Sequence, residues 1–437
     1  MKKIICVLPI LMLVCCQQKN TFNGNDEKLN ELALQYVRLG LDIGKYDPAF
    51  VDAYYGPDSL QPKTSKLAVF PKDSLLQSVN GLKSEMEKFI TGEKNDTAIN
   101  RAKWMSSQLT AFGRRIKIFS GEFAPFDEEA KDLFGVTVPT HPESYFKTLV
   151  SKLDSVLPGQ GNIPKRFQDL ANQFVIPKNK LDTVFKTAIQ ECRKRTLAHY
   201  NLPGNENFSL EFVTDKPWSG YNWYKGNYQS LIQVNTDLPI LVERAIDVGS
   251  HESYPGHHVY NMLLEKNLYR GKGWVEISLY PLFSPQSLIA EGSANYGIDV
   301  VFPGKEKNKF AKEVLLPLAG LDTAGLDTYF KALDIKGELN YVRNEVARGL
   351  LNGTMTEAEA IRWLMDYGLN NKETAVKSIS FIKVNRSYVI NYNYGKDLVK
   401  NYIESKGGTV SNPRKRWELF GWLLSNEVTP SELMPAR

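Results

Sequence analysis

Hydrophobic side chains in the first half of the chain recur every three or four residues, as one buried face of an amphipathic helix requires. The first such stretch runs from about residue 26 to 43 and carries Leu29, Leu32, Ala33, Tyr36 and Val37. The same period predicts further helices, separated by Pro and Gly clusters, at 73–92, 97–118, 127–134, 143–156, 164–173 and 179–199. This half is therefore predicted to be a helical scaffold.

From residue 208 the pattern changes to the alternation of apolar and polar positions that is typical of strands. Segments 208–214 and 230–236 alternate, and an aromatic, glycine-bearing segment (218–228) separates them. A small β-sheet is therefore predicted just before an amphipathic helix at 241–250. Two interpretations are equally open: an edge strand that pairs with an extended peptide, or a hairpin that only covers the core.

Aromatic residues are concentrated in the segment between the two strands. These residues are Trp218, Tyr221, Trp223 and Tyr224. They either line an apolar pocket or, as is more common, pack in the core or in a lid. Helical periodicity returns later, at 308–320, 323–332, 336–353, 356–367, 372–402 and 412–424. The predicted fold class is mainly α, with many helices and one small sheet.

The run HESYPGHH at 251–258 holds three of the five histidines of the chain and one carboxylate. Neutral imidazole is the commonest metal ligand in proteins. A glutamate beside the first histidine is where zinc hydrolases of the His-Glu-x-x-His type keep their general base. The run therefore predicts a metal site in which Glu252 is the base.

The spacing of these histidines departs from the usual four-residue interval. His251 and His257 are six positions apart, which is about 9 Å of rise on an ideal helix. That separation is too large for two ligands of one zinc ion. Pro255 and Gly256 allow a local bulge, and looping out two residues would bring His257 to the ligand position. His258 would need a third residue absorbed, so His257 is the preferred ligand.

A third ligand is expected from another segment, because catalytic zinc has three protein ligands and one open position. Glu291 is the candidate, since it is an acidic residue within an apolar helical run rich in small side chains. Gly292, Ser293 and Ala294 are expected to let this helix approach the one that bears the histidines. A surface glutamate is the alternative interpretation. Structural zinc sites are usually rich in cysteine, and no cysteine lies near the motif, so a catalytic metal is favoured.

Other polar residues are weaker candidates for the site. The segment 382–395 is rich in Arg and Tyr, and Tyr394 is the predicted group for stabilising an oxyanion or holding a substrate carboxylate. Asp247 and Asn295 lie one helical turn from His251 and Glu291, where either would orient a ligand. His141 and His199 have no polar companions in the sequence and are predicted to be structural.

Two motifs resemble the signature of a bacterial family of metallopeptidase-like proteins, the domain of unknown function family 885. They are HESYPGHH at 251–258 and EGSA at 291–294. Two further stretches are similar to the same family: DAYYGP at 52–57 and PWSGYNWYKGNYQSLIQVNTDLP at 217–239. The resemblance implies a mostly helical zinc-peptidase fold, distantly akin to the helical carboxypeptidases that carry an HExxH helix.

The same resemblance implies roles for individual residues. His251 and His257 would bind zinc, Glu252 would be the base and Glu291 would be the third ligand. Members often have Glu-Gly-Trp-Ala where this chain has EGSA, so Ser293 replaces an aromatic side chain.

The amino terminus resembles a bacterial lipoprotein signal. Two lysines precede an apolar run (4–14) that is too short to span a bilayer. The following Leu-Val-Cys-Cys resembles a lipobox, which predicts cleavage before Cys16, lipid on its thiol and a cell-envelope location. Cleavage before Cys15 and an ordinary signal peptide are the alternatives. The predicted organisation is a signal peptide (1–15), a tether (16–26), a helical scaffold (27–200) and a catalytic region (201–437).

The net charge and the cysteine content limit which binding partners and disulfide bonds the sequence predicts. Removal of the signal, which carries Lys2 and Lys3, lowers the formal net charge from +5 to +3, too little to predict nucleic-acid binding. With Cys16 acylated, Cys192 has no disulfide partner and is predicted to be a buried thiol. The sequence does not fix an oligomeric state.

Together these features predict Zn²⁺-dependent hydrolysis of peptide or related amide bonds, with Glu252 accepting the proton of a water molecule. The alternative is a non-enzymatic surface lipoprotein that binds peptide or metal in a relic peptidase fold. The presence of both the glutamate base and a full ligand set argues against it. The sequence leaves open whether substrates are cut from the amino end, the carboxyl end or the middle.

Overall fold

The computed structural model describes residues 24–216 and 218–435. Seven helices precede the sheet, and each agrees with a predicted helix to within about two residues: α1 (Gly24–Gly44), α2 (Lys72–Gly92), α3 (Asp96–Phe119), α4 (Phe126–Phe134), α5 (Glu143–Val156), α6 (Ile163–Ala171) and α7 (Leu181–Leu197). Helix α1 begins inside the predicted tether, and the rest of the tether, Cys16 and the predicted signal lie outside the described residues.

Two short sheets lie among the helices. The first has strand order β2-β4-β3, with β2 (Asn207–Val213) parallel to β4 (Gln229–Asn235) and β3 (Gly220–Tyr224) antiparallel to it. The predicted strands β2 and β4 are thus confirmed, whereas β3 lies in the segment that was predicted only as a connection. The second sheet pairs β1 (Val51–Tyr54) with β5 (Leu279–Pro281) and was not predicted.

The second half returns to helices. They are α8 (Val242–Glu252), α9 (His257–Leu264), α10 (Pro285–Val301), α11 (Glu306–Phe310), α12 (Leu316–Ala319), α13 (Leu326–Leu339), α14 (Val342–Leu351), α15 (Glu357–Asp366), α16 (Lys372–Asn385), α17 (Ile390–Ser405), α18 (Pro413–Leu424) and α19 (Pro430–Leu433). The mainly α fold class with a small sheet beside the histidine-bearing helix is therefore confirmed.

The prediction of one continuous helix over 372–402 is wrong. A 3₁₀ turn, Arg386–Val389, separates α16 from α17, and Arg386 has a positive φ of 53°. Its guanidinium is buried and donates two hydrogen bonds to the carboxylate of Glu129, at 2.9 and 2.7 Å. Because breaking a buried ion pair is costly, this contact with α4 stabilises the break.

Helix α10 lies at the centre of the molecule and packs against α17 and α8. Nearly all of its side chains are buried, which is the pattern of a helix surrounded by protein on all faces. One continuous apolar core extends from Leu29 to Leu433 and includes the buried, free thiol of Cys192, as predicted. The division at residue 200 stays a prediction. No helix in 24–216 or 218–435 has the length and hydropathy of a membrane span.

Small residues set how closely α10 approaches its neighbours. A Cβ atom on Gly292 would lie 2.3 Å from the carbonyl oxygen of Gly395, so α10 and α17 touch backbone to backbone. At Gly292 itself the backbone contact is with α17. Helix α10 also packs against α8, as predicted, and a Cβ on Gly297 would lie 3.2 Å from Pro255, which lies between the two histidine-bearing helices.

Gly292→Ala is expected to destabilise the protein by about 1–3 kcal/mol, because backbone atoms of α17 cannot move aside cheaply. The matched control is Gly81→Ala in α2, where a Cβ meets nothing within 4 Å. That change should stabilise the helix by about 0.5–1 kcal/mol. Urea unfolding followed by circular dichroism measures both. Equal stability of the two variants would show that the α10–α17 contact is looser than described.

Candidate metal centre

The two helices that carry the histidines are joined by a short break in one helical path. Helix α8 ends at Glu252 and α9 begins at His257. Across the break, the N–H of Gly256 donates to the carbonyl of Ser250 and the N–H of Val259 to that of Ser253, at 3.1 and 3.4 Å. Both bonds span six residues where an α-helix spans four. Two extra residues are thus absorbed, as the histidine spacing predicted.

Gly256 is required at this break because the chain folds back onto α8. A Cβ atom there would lie 1.9 Å from the carbonyl oxygen of His251 and 2.5 Å from that of Ser250. No side chain fits at such distances. The tight approach brings Nε2 of His257 to 3.1 Å from Nε2 of His251.

Glu291 completes a group of three from the centre of α10. Its Oε2 lies 3.3 Å from Nε2 of His251 and 3.8 Å from Nε2 of His257. Ligands about 2.0–2.1 Å from a tetrahedral zinc are about 3.3 Å apart, so these spacings fit one ion. Although Glu291 is only 8% exposed, its Oε2 has no hydrogen bond within the described residues. An orphaned carboxylate oxygen facing two imidazoles fits a site for a cation.

The three side chains are strongly coupled in charge. Burial raises the pKa of the Glu291 carboxyl, but its contacts with His251 and His257 outweigh burial and hold that pKa well below its usual range. Burial lowers the pKa of His257, yet the carboxylate of Glu291 raises it to about 9. Without a metal, His257 therefore holds a proton at neutral pH. A metal ion would displace that proton, because only neutral imidazole is a ligand.

Glu252 lies beside this group and is not part of it. It is 6% exposed, and its carboxylate makes no side-chain hydrogen bond within the described residues. Its backbone carbonyl accepts a hydrogen bond of 2.6 Å from Nδ2 of Asn222 on β3. A Cβ on Gly220 would lie 3.0 Å from its Oε1, so β3 runs directly against the carboxylate. Burial raises the pKa of the Glu252 carboxyl, which suits a group that must accept a proton.

His258 points away from the group and has partners of its own. Its Nδ1 is hydrogen-bonded to the hydroxyl of Ser230 at 2.8 Å, and its Nε2 is hydrogen-bonded to Oε2 of Glu206 at 3.2 Å. A serine, a histidine and a carboxylate in this order resemble a nucleophilic triad. All three are buried, with 5%, 0% and 8% exposure, and the bond between Ser230 on β4 and His258 on α9 ties the sheet to that helix.

The tyrosines near α17 divide between two environments. Tyr388 donates a hydrogen bond of 3.1 Å to Oε1 of Glu291 and so orients that carboxylate. Burial and then the charge of Glu291 raise the pKa of Tyr392. Glu252 also raises it, and Arg343 opposes the shift. Tyr394, the residue predicted to be catalytic, interacts instead with Asp397. No contact within the described residues joins it to the histidines, and its role stays a prediction.

The two residues predicted to orient ligands have other roles. The carboxylate of Asp247 pairs with the ammonium group of Lys307 at 3.2 Å. The amide of Asn295 donates to the carbonyl of Glu291 at 3.1 Å and to that of Tyr392 at 3.2 Å, which ties α10 to α17. Neither contacts a histidine or the carboxylate of Glu291 within the described residues.

The isolated histidines lie against aromatic rings. His141 stacks on Tyr145 with ring centroids 4.4 Å apart, and His199 stacks on Trp417 at the same distance. Both contacts are consistent with the structural roles predicted for these histidines.

Sequence reasoning missed two charged residues near the centre. Asp52 on β1 accepts a hydrogen bond from the hydroxyl of Tyr221 on β3 and is coupled in charge to His257. Arg343 on α14 has its guanidinium 5.7 Å from the ring of Phe381, and its Nε has no hydrogen bond within the described residues. Asp52 is the first residue of the DAYYGP stretch, and the family resemblance of that stretch could have pointed to it. Nothing in the local sequence marks Arg343.

Comparison with known proteins supports the fold. The chain matches no protein-family model and no curated protein sequence, so the family resemblance stays a prediction. A crystal structure from Colwellia psychrerythraea, provisionally described as a lipoprotein, is 14% identical with a TM-score of 0.54 over 83% of this chain and 68% of that one. At that identity the likeness shows the fold alone.

Two further solved structures are more distant. The M32 carboxypeptidase of Deinococcus radiodurans is 12% identical with a TM-score of 0.43, over 94% of both chains. Metallocarboxypeptidase 1 of Trypanosoma cruzi is 12% identical with a TM-score of 0.42, over 94% of this chain and 95% of that one. Both TM-scores are below 0.5, so we base no argument on them.

The pairing of Glu206 with His258 makes stability depend on pH. Burial raises the pKa of Glu206, but hydrogen bonds from His258, Tyr254 and Arg193 outweigh it and lower the pKa to about 2. A carboxyl whose pKa is depressed in the folded state stabilises that state above the unfolded pKa of 4.5 and loses this contribution as pH falls. Glu206→Gln should therefore lower the free energy of unfolding by on the order of 3 kcal/mol at pH 6.

The difference between wild type and Glu206→Gln should shrink as pH falls from about 5 and vanish near pH 2. Urea unfolding at a series of pH values measures it. A difference that does not change with pH would contradict an ionised Glu206 in the folded protein.

Proposed function

We propose that this chain is a zinc-dependent hydrolase of peptide or related amide bonds. The observation that carries the proposal is the convergence of His251, His257 and Glu291, from two separate segments of the sequence, on one point beside Glu252. Two imidazoles and one carboxylate form a common ligand set of catalytic zinc, which leaves the fourth coordination position for water or substrate. When bound, zinc would supply a Lewis acid that polarises the scissile carbonyl and lowers the pKa of water to about 7.

The protein's own groups would do the remaining work. Glu252 would accept a proton from the attacking water and pass it to the leaving amine. Its carboxylate is suited to this because it is unpaired, largely buried and next to the ligands without being one of them. Strand β3 lies against it, so a substrate bound along that edge would place its scissile bond near the water that Glu252 activates.

Glu252→Gln is expected to reduce kcat for peptide hydrolysis by about 10²–10⁴-fold, because the amide cannot accept the proton. Zinc content should stay equal to that of wild type, since Glu252 is not a ligand. Steady-state kinetics on a cleavable peptide and metal analysis of the same samples provide the two readouts. Unchanged turnover would refute the assignment of the base.

The non-enzymatic alternative predicts a different result with wild type. Zinc-loaded protein would cleave nothing in a broad peptide-library assay, with or without a chelator. Cleavage that the chelator abolishes supports the proposed hydrolase.

A donor for the developing oxyanion is expected on α17. Tyr394 is the residue that the sequence predicted. The charge coupling of Tyr392 to both Glu291 and Glu252 makes Tyr392 the better supported choice. Tyr388 already donates its hydroxyl to Glu291, and Tyr392 lies beside Tyr388 with ring centroids 5.7 Å apart, so Tyr392 is the next tyrosine along this face.

Tyr392→Phe should lower kcat by about 10²–10³-fold if its hydroxyl stabilises the oxyanion. Tyr394→Phe is the matched control, two residues away on the same helix, and should stay within about twofold of wild type. Both variants should bind zinc normally. The opposite ranking would restore the sequence-based assignment of Tyr394.

We also propose that the protein is a lipoprotein of the cell envelope, anchored through Cys16. The lipobox-like Leu-Val-Cys-Cys supports this, as does the provisional description of the Colwellia structure as a lipoprotein. Cys16→Ala should shift the protein from the membrane fraction to the soluble fraction of its cells. Continued labelling of that variant by a radioactive fatty acid would count against Cys16.

A further inference from the structure

A carboxylate that the proposed reaction does not use, that of Asp52, is coupled in charge to His257. Asp52 lies on β1, which pairs with β5 just before the helix that carries Glu291. Val51 pairs with Pro281 and Ala53 with Tyr280, so Asp52 is an extra residue between two consecutive partners. Such a bulge redirects one side chain out of the regular alternation and is common beside active sites.

Apart from His257, the charged groups that act on Asp52 are acidic. Asp52 is half-buried, and within the described residues its side-chain hydrogen bond comes from the hydroxyl of Tyr221. No lysine or arginine within the described residues forms an ion pair with it. Burial raises the pKa of its carboxyl to about 6, Tyr221 and His257 oppose that shift, and Glu291 and Glu252 add to it. A partly desolvated carboxylate without a paired charge is unfavourable, so this position is expected to receive a positive group.

The metal ion would not supply that charge in full. Three carboxylates, those of Asp52, Glu252 and Glu291, share this region with at most two positive charges from a divalent ion. Glu291 is the ligand among them. The remaining negative charge is on Asp52 and Glu252, which both lie at the start of β3. Gly220 lies against Glu252, and Tyr221 donates a hydrogen bond to Asp52.

We propose that Asp52 binds a positively charged ammonium group of the substrate, next to the bond whose hydrolysis Glu252 assists. The proposal rests on the proposed hydrolase function. Tyr221 is a positioning residue that holds the carboxylate through its hydroxyl. The ammonium group is either the free α-amino end of a peptide or a lysine side chain beside the scissile bond.

Three peptides of one sequence distinguish these sources: a free amino end, an acetylated amino end, and an acetylated end with lysine next to the scissile bond. Wild type should cleave at least one ammonium-bearing peptide with kcat/KM at least tenfold above the neutral acetylated one. Preference for the free amino end assigns the α-amino group, and preference for the lysine peptide assigns the side chain.

Asp52→Asn should abolish the preference by weakening cleavage of the ammonium-bearing peptide, while cleavage of the neutral peptide stays within about twofold of wild type. The matched control is Asp58→Asn, an exposed aspartate six residues further along the chain, which should keep the preference. Tyr221→Phe should reduce the preference without abolishing it, because the carboxylate remains charged but loses the hydroxyl that holds it. If Asp52 only holds Tyr221 in place, the preference should instead survive Asp52→Asn.

Binding supplies a readout that does not depend on turnover. In the Glu252→Gln background, calorimetry should give at least tenfold tighter binding of the preferred ammonium peptide than of the neutral one, and adding Asp52→Asn should remove the difference. Equal binding and equal cleavage of all three peptides by protein with Asp52 intact would overturn the proposal while leaving the hydrolase standing. Failure of zinc-loaded wild type to cleave any peptide would instead refute the hydrolase.

Discussion

The constraint on which the rest depends is the burial of Glu291 in the central helix with one oxygen unpaired and facing two imidazoles. A carboxylate in that position is stable only with positive charge at hand. The proton on His257 supplies it in the metal-free protein, and a divalent ion bound by the same three side chains would supply it better. The spacing of the three donor atoms, 3.1, 3.3 and 3.8 Å, therefore has an electrostatic reason as well as a packing one.

Two backbone contacts make this arrangement possible. At Gly256 the chain turns back onto the carbonyl of His251, and at Gly292 the central helix touches α17. The first contact sets the distance between the histidines. The second sets how closely the central helix, with Glu291, packs against α17. Neither position has room for a Cβ atom, so the geometry of the centre depends on these two glycines.

The sequence predicted the parts of the site that depend on local chemistry. Residue type and spacing in HESYPGHH were enough to predict the two-residue bulge and the preference for His257 over His258 as the residue nearest His251. The acidic side chain of Glu291 within an apolar run of small residues was enough to predict its approach to them. The prediction failed where long-range pairing decides. The bulge at Asp52 exists only because β1 pairs with β5, more than 200 residues later, and β3 is a strand only because β4 lies beside it. The predicted helix 372–402 failed for the same reason, since the ion pair of Arg386 with Glu129, 257 residues apart, lies at the break between α16 and α17.

Zinc stoichiometry in two neighbouring variants tests the central claim most directly. His257→Asn and His258→Asn change the same residue type one position apart, yet only His257 faces His251 and Glu291. After dialysis against limiting free zinc, we expect about one zinc ion per chain in wild type and in His258→Asn. In His257→Asn we expect a large loss of bound zinc. Zinc retained without His257, or lost only without His258, would contradict the account.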